Sequence, residues 1–69
     1  MKSKTFRDAM KDLLEVTTIA QFYDVMNAFK LLLDSAFINV QEYAALNTVA
    51  SILFPGIYLE WATEADINV

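Results

Sequence analysis

At the head of three runs of helix-spaced apolar residues, a residue with a short hydrogen-bonding side chain stands three positions ahead of an acid or an amide. The pairs are Thr5 with Asp8, Thr18 with Gln21, and Asn39 with Glu42. In such a pair the first side chain accepts from a free backbone N–H of a helix start, and the second reaches back to the cap residue's own N–H. Apolar residues recur after each pair at steps of three and four, the period of an amphipathic helix. The chain is thereby constrained to helices.

The first run, Phe6, Ala9, Met10, Leu13 and Leu14, predicts a helix over about residues 5–16, with Arg7, Asp8, Lys11, Asp12 and Glu15 opposite. Ile19, Phe22, Val25, Met26, Phe29, Leu32 and Leu33 extend a second over about 18–36. Tyr23 and Leu31 interrupt its wet side, and so are expected at the surface. Tyr43, Leu46, Val49, Ala50, Leu53 and Phe54 mark a third helix over about 40–53. Glu42 is its one charge, and a helix so poor in charge is expected to be buried on more than one side. Pro55 and Gly56 signal a turn. Ile57, Tyr58, Trp61, Ala62 and Ala65 then space a short C-terminal helix over about 56–65, with the tail 66–69 fraying. The expected fold is all-α, one helical domain over residues 1–69. Its core should hold Phe6, Met10, Leu13, Phe22, Met26, Phe29, Leu33, Leu46, Val49, Leu53 and Trp61.

The stretch from Leu32 to Tyr43, through Asp34, Ser35, Asn39 and Glu42, resembles the helix–turn–helix hairpins of small bacterial and phage proteins. The resemblance covers twelve residues and points to no family.

How well could such a bundle hide its apolar side chains? Of the 69 residues, 57% are hydrophobic, against roughly 45–50% in an average globular domain. A domain of this size buries only about 60% of the surface its unfolded chain exposes. Cysteine is absent, so no disulfide adds stability. The expectation is self-association as a homodimer, or cover by another protein. Neither Leu31–Leu33 nor Ile52–Tyr58 approaches the ~18–20 apolar residues of a membrane span, and no apolar run follows the early charges as in a secretory signal. A cytoplasmic chain without membrane contact is expected.

The net charge of −4 is unevenly spread. Lys2, Lys4, Arg7 and Lys11 stand against Asp8 alone in the first eleven residues, whereas the remainder holds eight acids and only Lys30. Binding to nucleic acid matches Lys and Arg to phosphates, so most of the chain should repel a polyanion. A small DNA-associated regulator, using the basic first helix or the hairpin, is the alternative reading. Its third helix would have to read bases with Gln41, Asn47, Thr48 and Ser51 and no basic residue.

Catalytic chemistry is restricted further. Without His or Cys there is no imidazole base, no thiolate and no ordinary zinc or haem site. Ser3, Ser35 and Ser51 have no base to activate them, and one glycine makes no phosphate-cradling loop. Glu60, Glu64 and Asp66 could offer oxygens to a hard cation, but the calcium-loop and di-iron patterns are missing, so a solvated acidic face is expected. No catalytic residue, metal, cofactor or small-molecule substrate is expected. The candidate interface residues are Tyr23, Leu31, Tyr58 and Trp61, of the apolar and amphipathic kinds that interfaces use. Arg7 and Lys11 are candidates to pair with Glu60 and Glu64, within one chain or across a dimer. The function expected is that of a non-enzymatic protein-interaction module.

Overall fold

The computed structural model describes residues 4–67, which form four helices: α1 (Lys4–Leu14), α2 (Ile19–Asp34), α3 (Val40–Leu53) and α4 (Pro55–Ile67). No strand occurs among the described residues. The all-α fold expected from the spacing, three helices and a C-terminal fourth, is the one observed.

Two of the three capping pairs close fully. Gln21 N–H donates to Thr18 Oγ1 at 3.1 Å, and Gln21 Oε1 accepts from the N–H groups of Thr17 and Thr18 and from the Thr17 hydroxyl. Glu42 N–H donates to Asn39 Oδ1 at 2.7 Å, while Asn39 N–H donates to Glu42 Oε1 at 3.0 Å. The Glu42 carboxylate is buried, and this reciprocal bond gives it a partner. Thr5 departs from expectation. Since α1 begins at Lys4, Thr5 lies inside the first turn and does not cap it.

The chain leaves α2 through a Schellman turn. Ala36 N–H donates to the Leu33 carbonyl at 3.0 Å, and Phe37 N–H donates to that of Leu32 at 2.9 Å. This geometry sets Ala36 at φ 64, the left-handed region usually given to glycine. At the other joint a single residue, Phe54, separates α3 from α4. Its N–H donates to the Ala50 carbonyl, and its own carbonyl accepts from Tyr58 N–H. Pro55, lacking an N–H, ends α3 and occupies the first position of α4, where its fixed φ suits the helix. The expected turn at residues 55–56 is therefore part of α4, which also runs on through Asp66 and Ile67. Residues 68–69 of the tail expected to fray lie outside the described residues.

Helix α1 packs on α2 and α3, α2 on α3 and α4, and α3 on α4, whereas α1 and α4 do not meet. One core joins all four: Ala9 and Leu13, then Phe22, Met26 and Phe29, then Ile38, Leu46 and Ala50, then Trp61. Phe22 is fully buried and meets Phe54 edge-on at 5.4 Å. Burial of one such side chain contributes about 1.5–3 kcal/mol. Phe6, Met10, Leu33 and Val49 pack against this core from partly buried positions. Leu53, expected inside, is 45% exposed. The line α3 turns inward is Glu42, Leu46 and Ala50, and Phe54 rather than Leu53 closes its end against Phe22.

Candidate interaction surface

The bundle measures 32 × 27 × 17 Å. With helices packed ~8–10 Å apart, its thin axis is two layers deep, so each helix keeps a face in water.

The aromatic candidates turn toward their own chain. Tyr23, on α2, donates its hydroxyl to Glu64 Oε2 on α4 at 2.9 Å. Trp61 is buried, 9% exposed, and its Nε1 donates to Asn27 Oδ1 at 3.4 Å. Tyr58 stacks obliquely on Trp61 at 5.9 Å and donates to Asn47 Oδ1 at 3.0 Å. The Tyr23 phenol is held above its ordinary pKa of 10.0, first by the bond to Glu64, then by desolvation and the charges of Glu64 and Glu60. Burial raises that of Tyr58, with Tyr43 adding to it. Of the four candidate residues Leu31 alone stands mostly in water, 66% exposed.

Arg7 and Lys11 ride on α1 and Glu60 and Glu64 on α4, two helices whose backbones do not adjoin among the described residues, and Glu64 is engaged by Tyr23. No group of three acidic side chains among the described residues is placed to hold a metal ion. No helix among them is long and apolar enough to cross a membrane.

Two surfaces emerge instead. The first is the outer face of α3. This helix was expected to be buried on several sides, but its exposed residues include Val40, Gln41, Ala44, Thr48 and Ile52, none of them charged. Val40 and Ile52, at its ends, are 71% and 70% exposed. Phe37 and Leu53 add exposed apolar area beyond them. The polar side chains of α3 are largely spent on the helix itself. Asn47 Nδ2 donates to the Tyr43 carbonyl, Thr48 Oγ1 to that of Ala44, and Ser51 Oγ to that of Thr48. Three of the four side chains available for reading base edges are thus already bonded.

The second surface is a trough between α1 and α2. Its larger part, about 520 Å³, has a floor of Ala9, Val25, Ala28, Phe29 and Leu32, edged by Asp8, Asp12 and Asp24. A smaller depression of about 250 Å³, edged by Asp12 and Glu15, continues it across Val25. Nothing in the sequence pointed to this trough, because its walls come from helices whose facing residues are more than ten positions apart.

No protein-family model, curated protein or solved structure matches this chain.

Proposed function

We propose that the protein is a non-enzymatic interaction module that pairs with a second copy of itself across the outer face of α3. The observation that carries this reading is the uncharged, partly apolar face from Val40 to Ile52, left in water on a chain of net charge −4. A two-fold interface must be complementary to itself. On an antiparallel second α3, Val40 lies opposite Ile52 and Ala44 opposite Thr48, so large side chains meet at the ends and small ones let the helices approach. Here, too, a pair of acidic chains can meet without opposing like charges. Burial of these apolar side chains supplies the driving force.

Sedimentation of the intact chain from 5 to 200 μM tests the reading. A concentration-dependent dimer is expected, converted to monomer by Ile52→Glu with helical circular dichroism unchanged. A wild-type chain that stays monomeric throughout would overturn it.

A further inference from the structure

We infer that the trough between α1 and α2 is a docking site for a cationic amphipathic helix of another protein. This rests on the reading of the chain as an interaction module and adds a second surface, with the chemistry of its partner.

Ala9 on α1 and Ala28 on α2 leave room that larger side chains would fill, and Val25, Phe29 and Leu32 give the opening an apolar floor. Asp12 and Val25 line both depressions, which therefore adjoin along the same pair of helices. The trough's lining runs from Thr5 on α1 to Glu15 just beyond that helix's end, which at ~1.5 Å per residue is about 15 Å, or nearly three turns of a docked helix. Leu31 stands at one end, mostly in water, where it can cover the docked segment. Grooves of this kind receive helices whose apolar residues recur at i, i+4 and i+7.

Charge then selects the partner. Asp8, Asp12 and Glu15 on one wall and Asp24 on the other place four carboxylates along the trough, and among the described residues no Lys or Arg lines it. All four residues are exposed, so their charges are no strain on the free protein. An incoming anionic segment would meet like charge on both sides, whereas Lys or Arg flanking an apolar stripe would be steered in and paired. The same electrostatics disfavour a second copy as occupant. Its α1 carries Arg7 and Lys11 interleaved with Asp8 and Asp12, and would bring repulsion together with attraction.

The test uses the intact protein and a synthetic 16-residue helix of Leu, Ala and Lys, with Leu at i, i+4, i+7 and i+11. Titration is followed by calorimetry and by backbone amide shifts. Two controls are the same peptide with Glu for Lys, and a scrambled sequence lacking the stripe. The Lys peptide should bind at least tenfold tighter than either control, shift α1 and α2 amides, and weaken several-fold between 50 and 300 mM salt. The triple variant Asp8→Asn, Asp12→Asn, Asp24→Asn should lose at least tenfold in affinity. Ala28→Trp should block the trough while circular dichroism stays helical. Equal binding of the controls, shifts confined to α3 and α4, or an unaltered triple variant would each overturn the assignment. Sedimentation of the same samples separates the two proposals. A dimer that forms without peptide binding removes the trough site and leaves self-association standing, and a monomer that binds the peptide does the reverse.

Discussion

Tyr23 and Glu64, forty-one positions apart, share a 2.9 Å hydrogen bond that ties the start of α2 to α4. The bond requires the protonated phenol, and it raises the Tyr23 pKa above 10.0 in the folded state. Its contribution to stability is therefore complete below about pH 10, the unfolded value, and is lost as pH rises through the higher folded value. Tyr58 acts in the same direction through burial. Thermal melts between pH 8 and 11 should show a falling midpoint above pH 10. Tyr23→Phe should lessen that fall, and a pH-independent midpoint would contradict the linkage.

Ala36 occupies the left-handed region with a Cβ that disfavours it. Ala36→Gly should stabilise the protein by about 1 kcal/mol, since a non-glycine residue pays ~1–2 kcal/mol there and glycine returns part of the gain as unfolded-state entropy. In a domain of this size that corresponds to roughly 4–8 °C in Tm. Urea denaturation at constant slope is the check.

Gly56 presents the opposite case. It lies in the first turn of α4, has no positive φ, and a Cβ added to it would meet nothing within 4 Å. Gly56→Ala should stabilise by about 0.5–1 kcal/mol. A loss of stability would mean that the backbone at the Phe54–Pro55 joint needs freedom the geometry does not show.

Gln21 Oε1 collects three donors from Thr17 and Thr18. Gln21→Ala should cost about 1 kcal/mol, the usual worth of a cap. Gln21→Glu should retain or exceed wild-type stability at neutral pH, because a carboxylate accepts the same bonds more strongly and complements the helix dipole. Paired chemical denaturation curves distinguish the two variants.

The capping boxes at Thr18 and Asn39 were legible because each is a local bond spanning three residues. Periodicity likewise located the buried line of α2, Phe22, Met26 and Phe29. In α3 the apolar residues cover more than one face, so spacing alone could not decide between Leu53 and the line Leu46–Ala50. The position of Glu42 on the buried line, satisfied by Asn39, was the hidden clue. Ala36 and Ile38 were harder to read. No glycine announces the left-handed turn, and the burial of Ile38 follows from where that turn sends the chain. Thr5 imitates a cap in spacing only. Of the surfaces, Leu31 was legible as an exposed leucine on a polar side. The engagement of Tyr23, Tyr58 and Trp61 within the chain depends on partners in Glu64, Asn47 and Asn27, which no local pattern connects.

With Phe54 as the sole joint between α3 and α4, the chain has no slack there. Exchange of α4 between two copies would require α3 and α4 to straighten into one rod through residues 40–67. Pro55 would then sit inside the rod, lacking the N–H and clashing with the carbonyl four residues earlier, at a cost of about 3 kcal/mol or more. The proline thus weighs against that one route, a continuous α3–α4 rod shared between neighbouring copies.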